Sequence, residues 1–250
     1  MKDKTDDLQN ISGKRVLISG GTTGIGRAAA LTLASHGARI IYFGRHRQQI
    51  DETMAAISSL KRKTESFGMV ADVGYEKDIS KVFGVVDSQF GGLDIMINNA
   101  ALPYQSIMEG TYQDWQYVVN TNLLGYMACC NEAITRMRGH SGHIVNIGSM
   151  SADIRERNSS VYVATKSAIQ GFSEALRKEI NPLGIKVSLI EPGATDTDMQ
   201  EDTSQHKKEK VEALEMLQAQ DVAEAILYCV SQPLRTDVVN LQLRPHLQII

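Results

Sequence analysis

The chain has 250 residues, 42% hydrophobic and 22% charged, with 20 glycines and 5 prolines, the composition of a packed globule and not of a disordered, collagen-like or disulfide-scaffold protein. A formal charge of −3 leaves no basic excess for a phosphate backbone, so nucleic acid is not an expected partner. No apolar run approaches the ~18 residues of a membrane span, and the opening Met1 to Asp7 holds no hydrophobic signal core, so a cytoplasmic protein off the membrane is expected.

Residues 1–12 read as a polar, solvated leader, and 13–250 as one domain, because no repeat, low-complexity linker or hinge-like segment interrupts the pattern that follows. The run 14–19 is strand-like, ends in a glycine cluster and hands over to a helical pattern over 25–35. Further strand-like runs fall at 39–43, 66–70, 93–97, 143–147, 186–190 and 237–241, separated by about six helical patterns. Strands that are apolar nearly throughout need helices on both faces, so a doubly wound, seven-stranded parallel α/β sheet is expected. Trp115 shares a helix with Val118, Val119 and Asn122 and reads as a packing residue. Residues 200–210 contain no apolar side chain; they read as a solvated helix face or loop, with a mobile lid over 200–218 as the alternative, since they follow a strand end.

Cys129, Cys130 and Cys229 are an odd number of cysteines and suit reduced, buried thiols better than a disulfide framework. His36, His46, His140, His143, His206 and His246 include no pair at metal-ligand spacing with a third partner, so no metal is expected.

The first chemistry lies in Ser19-Gly20-Gly21-Thr22-Thr23-Gly24-Ile25-Gly26, between a buried strand and a helix start. Gly20, Gly24 and Gly26 suit a tight turn, a close approach of backbone to a pyrophosphate and close helix–strand packing. The unpaired N–H groups of the helix start attract phosphate.

With its G-x-x-x-G-x-G spacing, the turn resembles that of the short-chain dehydrogenases/reductases. Five further segments extend the resemblance over about residues 14–229. Asn98-Asn99-Ala100-Ala101 is similar to the family's Asn-Asn-Ala-Gly, with Ala101 in place of the glycine. Asn122-Leu123-Leu124-Gly125 is similar to its helical Asn-Leu-x-Gly segment. Ser149 precedes Tyr162, Tyr162 and Lys166 form the Tyr-x-x-x-Lys pair, and Pro192-Gly193 with Thr197 and Met199 resembles the Pro-Gly-x-x-x-Thr segment.

The resemblance implies a single Rossmann-type catalytic domain and hydride transfer between a nicotinamide and a carbonyl. Negative charge then develops on oxygen, and a proton donor within hydrogen-bond reach lowers the barrier. Tyr162 is the candidate acid and base. Lys166 lies one helical turn on, where its charge is expected to favour the ionised phenol and its ammonium to reach the cofactor ribose. Ser149 is implied to hydrogen-bond the substrate oxygen, and Asn122 to hold a water linking Lys166 to solvent. The expected cofactor contacts are Gly20, Thr22, Thr23, Gly24, Ile25, Gly26, Asn99, Ala100, Tyr162, Lys166, Pro192, Gly193 and Thr197, with Asp72 and Val73 at the adenine.

NADP is expected over NAD, which stays possible. Arg45 ends the second strand where an NAD site has its acid, and the nearest carboxylate, Asp51, lies inside the next helix. Thr23 departs from the basic residue that many NADP-using relatives carry.

Substrate walls are expected from the loops after Asn99 and Pro192 and from 150–158. In the last of these, Arg155 or Arg157 could meet a substrate carboxylate or phosphate, or both could pair with Asp153 and Glu156 at the surface. The C-terminal residues resemble the branch acting on hydroxy acids and related small alcohols, and Ile249 and Ile250 would be exposed in a monomer. A dimer or tetramer is expected, as is common in the family.

The activity implied is NADP(H)-dependent interconversion of a secondary alcohol and a ketone. A non-catalytic NADP sensor is the alternative, or a dehydratase or epimerase on the same fold. Four matched catalytic positions argue against the first. Against the second stands the lack of room for an added substrate domain.

Overall fold

The computed structural model describes residues 10–199 and 203–248. Leader residues 1–9, the first three of the charged stretch (Gln200, Glu201 and Asp202), and Ile249 and Ile250 lie outside the described residues. In chain order the strands are β1 (Arg15–Ser19), β2 (Arg39–Gly44), β3 (Ser66–Val70), β4 (Ile95–Asn98), β5 (Gly142–Ile147), β6 (Ile185–Pro192), β7 (Thr195–Asp196), β8 (Leu217–Gln218) and β9 (Asn240–Leu243). Seven of them form one parallel sheet in the order β3-β2-β1-β4-β5-β6-β9, while β7 and β8 make a separate two-residue ladder. The predicted seven-stranded, doubly wound sheet is therefore present in a single domain.

The helices are α1 (Gly24–Ser35), α2 (Arg47–Ser58), α3 (Glu76–Phe90), α4 (Tyr112–Val119), α5 (Gly125–Met137), α6 (Ser151–Ile154), α7 (Ser160–Ile180), α8 (Ser204–Glu212) and α9 (Ala219–Val230). Alternation along β1 shows how two layers grow from one strand. Val16 and Ile18 pack with Leu33, Ile50 and Ile226 of α1, α2 and α9, whereas Leu17 packs with Phe83, Cys129 and Leu176 of α3, α5 and α7. Ile11 joins the first of these layers at 4% exposure, so the end of the supposed polar leader is part of the core. Cys129, Cys130 and Cys229 are free thiols inside the same layers.

The strand order turns about at β1 and β4, and parallel sheets leave a crevice at the carboxyl ends of the strands there. Between α4 and α5 the helix widens into an under-wound π turn, Asn120–Leu124, in which Asn122 is fully buried. The charged stretch contains α8, capped by Thr203, whose side chain accepts from the His206 backbone at 3.2 Å. Lys207 alone in that helix is buried, and it donates to Thr197 O at 2.6 Å.

His143 on β5 is buried and shares a 2.8 Å hydrogen bond with Ser188. Burial, with Lys186 nearby, pushes its pKa from the ordinary 6.5 down to about 3. Between those values the unfolded chain binds a proton that the folded one refuses, so the folded state loses stability as pH falls below 6.5. At pH 5 the cost is about 2 kcal/mol for this group. We expect the melting temperature to drop between pH 7 and 5 more steeply in the native protein than in His143→Asn. Parallel profiles for the two proteins would remove His143 as the cause.

Candidate active site

Two adjoining cavities occupy the crevice. The first, about 180 Å³, runs from the glycine turn to the end of β2. The second, about 560 Å³, lies between the ends of β5 and β6 and the start of α7. Ile25, Asn99, Ala101, Thr197 and Met199 line both, so the two form one continuous cleft.

The turn after β1 is built for close approach. Gly20 has φ +64°, and a Cβ there would sit 2.8 Å from Ala100 Cα. A Cβ on Gly26 would meet Gly20 O at 2.1 Å, which is how α1 seats directly on the turn. Asn99 locks this arrangement: its Nδ2 donates to Ser19 O at 3.2 Å and to Gly20 O at 3.0 Å. Thr23, the residue before α1, makes no capping hydrogen bond, so the first N–H groups of that helix face the cleft unsatisfied by a side chain. Ala101, which replaces the glycine of the family motif, has no left-handed backbone angle, and alanine fits there without strain.

At the far end of the first cavity lie Arg45, His46 and Gln49. Asp72 faces them, its Oδ1 accepting from Gly74 N at 2.8 Å and its Oδ2 from the Tyr117 hydroxyl at 2.5 Å. Arg45 Nη1 donates to the same Tyr117 oxygen at 3.1 Å. Tyr117 thus ties Arg45 and Asp72 together; burial, with Asp72 beside it, raises its pKa. Asp51, the nearest acid after Arg45 in the chain, is exposed and lies 3.8 Å from Arg47. Thr121 Oγ1, on the π turn, is buried in this cavity wall without a hydrogen-bond partner.

The second cavity brings together Ser149, Tyr162 and Lys166, with Pro192 and Gly193 along its edge. The Ser149 hydroxyl, which accepts from Ser151 N at 3.1 Å, lies near enough to the Tyr162 phenol to favour its ionised form. Lys166 is 2% exposed; its Nζ donates to Ile147 O at 2.9 Å and lies 5.7 Å from the Tyr162 ring centre. Burial pushes Tyr162 up to about 12, with Glu156 adding to the rise and Ser149 opposing it. Burial also pushes Lys166 down to about 8, partly offset by the Glu191 carboxylate. Desolvation of the ring is the largest influence on the phenol in this cleft.

Two expected residues sit behind the wall. Gly26 underlies the turn, and Asn122 is clamped to the Leu102 backbone, accepting from Leu102 N at 2.7 Å and donating to Leu102 O at 2.9 Å. Its amide also donates to Thr165 Oγ1 at 3.3 Å, so its side chain shapes the loop after Asn99. All other expected contacts of the glycine turn, Arg45, Asp72, Val73, Asn99, Ala100 and Thr197 line the first cavity.

Neither reading of Arg155 and Arg157 survives. Arg155 turns back at φ +58°, its Nε donating to Ala152 O at 3.3 Å, and neither arginine lines the cleft. Asp153 accepts from Gln170 and Gln242, and Glu156 accepts from Ser151, so among the described residues the four do not pair with one another. Trp115 donates to Glu109 O at 3.0 Å and, half-buried, lines an open apolar groove outside the cleft with Val119, Leu123 and Val161. Residues that sequence reasoning missed are Tyr117, Thr121, Glu156, Glu191 and Gln248, the last lining the cavity from the C-terminal segment. Among the described residues no group of His, Cys, Asp or Glu could hold a metal, and no helix is long and apolar enough to cross a membrane.

The sequence matches the family described as short chain dehydrogenase over residues 14–208. It is 30% identical over 240 residues to an uncharacterised oxidoreductase of Staphylococcus saprophyticus, covering 95% of this chain and 100% of that one. An uncharacterised oxidoreductase of Staphylococcus aureus is 30% identical over 237 residues, 94% of this chain and 98% of the other. Among solved structures, a short chain dehydrogenase from Burkholderia cenocepacia in complex with NADP superposes at a TM-score of 0.83, with 27% identity over 95% of this chain and 98% of that one. A short-chain type dehydrogenase/reductase from Mycobacterium marinum shares the fold at a TM-score of 0.86, with 24% identity over 97% and 98% of the two chains.

Proposed function

Because this chain belongs to the short-chain dehydrogenase family and is an oxidoreductase acting on CH–OH groups, we propose that it interconverts a secondary alcohol and a ketone with NADP(H), using Tyr162 as acid and base. One observation carries the reading: Tyr162, Ser149 and Lys166 meet in one half of a cleft whose other half is a glycine cradle beneath an uncapped helix start.

The residues present suit a dinucleotide. Gly20, Gly24 and the first N–H groups of α1 would hold the pyrophosphate. Thr121 Oγ1, orphaned in the wall, has a hydrogen bond to give. Arg45, presented by Tyr117, would take a ribose 2′-phosphate, and Asp72 and Val73 would flank the adenine. The bound nicotinamide supplies or accepts the hydride. In the reducing direction Tyr162 gives its proton to the carbonyl oxygen, while Ser149 donates a second hydrogen bond to that oxygen and orients it. A phenol held near 12 is fully protonated at neutral pH, which is the form a proton donor needs. Lys166 stabilises the phenolate left behind, and Glu191, buried and accepting from Gln170 and Asn240, supports the lysine's charge. Asn122 holds the Leu102 loop with both ends of its amide, and the water it would anchor beside Lys166 rests on the family resemblance. The described part of the charged stretch, 203–218, would serve as a lid, with Lys207 tethering α8 to the cleft wall at Thr197 O. The family habit of oligomerisation, with Leu124 and Met127 exposed, supports a homodimer or homotetramer.

Incubating the protein with ketones and NADPH deuterated at its transferable position tests the reaction. Deuterium at the carbinol carbon of the product is the expected result. NADPH that binds and stays intact with every ketone contradicts it and favours the sensor reading.

Two further outcomes follow. Ketone reduction should decline as pH rises through about 8, where Lys166 loses its proton, and alcohol oxidation should rise with pH as the phenolate forms. A reduction profile flat to pH ~10 would exclude Lys166 as the controlling group. Tyr117→Phe removes the oxygen holding Arg45 and should weaken NADPH binding about three- to tenfold, the effect of one lost hydrogen bond, with NADH binding less affected. Equal losses for the two cofactors would place Tyr117 in a general structural role.

A further inference from the structure

Among the described residues, only two ionised side chains, Lys166 and Glu156, line the substrate half of the cleft. Lys166 is committed: it is buried, bonded to Ile147 O and set beside Tyr162. Glu156 is not. Ser151 Oγ donates to its Oε1 at 3.0 Å, and among the described residues its second oxygen has no partner. The rest of the polar lining there is neutral, including Tyr104, Ser159 and Gln248.

The backbone explains why an acid, itself exposed, lines this half of the cleft from a segment rich in arginine. Arg155 and Asn158 are both non-glycine residues in the left-handed region, at φ +58° and +68°. Each costs free energy that ordinary loop residues avoid, and together they bracket Glu156 and Arg157. The first reversal folds Arg155 back onto Ala152 O, leaving Glu156 on the cavity wall and Arg157 outside it. Glu156 and Tyr162 line the same cavity, and the charge of Glu156 is felt at the phenol.

We propose that Glu156 selects the substrate by charge and that the protein takes a carbonyl compound bearing a protonated amine, whose ammonium docks on Glu156 while its carbonyl meets Tyr162 and Ser149. The proposal rests on the alcohol–ketone reading of this cleft and names its substrate class. It reverses the expectation of an acidic substrate, because the arginines that would have received a carboxylate turn away.

The test uses three small probes of similar size and different charge: aminoacetone, butanone and pyruvate, with their reduction products. Binding of the three alcohols to the NADP-loaded protein is measured by ligand-observed NMR, and turnover of the three ketones with NADPH is followed in parallel. A partly exposed carboxylate should favour the amino alcohol over the neutral one by about fivefold, and lactate should bind weakest. In Glu156→Gln the ratio of amino to neutral alcohol should fall to about one. Binding that ignores charge, binding that favours lactate, or no binding of the amino alcohol overturns the proposal, even if butanone is reduced. Charge-ordered binding that depends on Glu156, with no ketone turned over, sustains it while refuting the alcohol–ketone reading. The native protein's own charge ratio decides the matter if the variant fails to fold.

Discussion

Tyr162→Phe is expected to lower turnover of every ketone by about 10²- to 10⁴-fold, the span of a lost general acid, while NADPH affinity stays within about twofold. The ring itself is retained, so its packing beside Lys166 at 5.7 Å survives, and only the hydroxyl that Ser149 contacts is removed. No other group at this end of the cleft can replace it. Ser149 is too weak an acid, and Lys166 is held on Ile147 O and deeply buried. Losing one neutral hydrogen bond costs stability about 1 kcal/mol, too little to unfold an ordinary domain. A loss below tenfold would mean that the proton comes from elsewhere.

Arg45→Glu is expected to weaken NADPH binding by about 10²- to 10³-fold and to leave NADH binding unchanged or stronger. Charge-assisted hydrogen bonds to phosphate contribute about 1.5–3 kcal/mol, and a carboxylate in the same place adds repulsion. With a ribose hydroxyl in place of the phosphate, the same carboxylate becomes an acceptor. Arg45 is exposed and, among the described residues, is steadied by Tyr117 alone, while the nearest following acid is engaged with Arg47. Measured dissociation constants for both cofactors, in both proteins, check it. Equal weakening of the two would remove Arg45 from the phosphate site.

Much of this architecture was legible in the sequence because burial on both faces leaves a plain mark. Val16, Leu17 and Ile18 are consecutive and all fully buried, a run that only an inner parallel strand tolerates. The last strand is read less well: the sequence places it at 237–241 and the structure at Asn240–Leu243, since this edge strand has only intermediate burial on alternate residues. The glycine turn lines the first cavity, and Ser149, Tyr162 and Lys166 line the second.

What escaped depended on direction and environment. Whether Arg155, Glu156 or Arg157 faces the cleft is decided by two left-handed residues, and neither is a glycine that would have announced them. Tyr117 looks from sequence like one more helix residue, yet its hydroxyl reaches both Asp72 and Arg45. Lys207 sits in a stretch without a single apolar neighbour and is nonetheless buried, because its ammonium reaches a carbonyl on the cleft wall. The upward shift of Tyr162 follows from how deeply the fold buries the ring, and no spacing rule contains that.

The central claim is that this cleft moves a hydride and that Tyr162 moves the accompanying proton. Parallel measurement of NADPH affinity and NADPH consumption, in the native protein and in Tyr162→Phe across a panel of small ketones, tests it most directly. We expect both proteins to bind NADPH with similar affinity and only the native one to consume it in step with alcohol formation. Consumption that persists unchanged in the variant, or tight binding with no consumption in either protein, would contradict it.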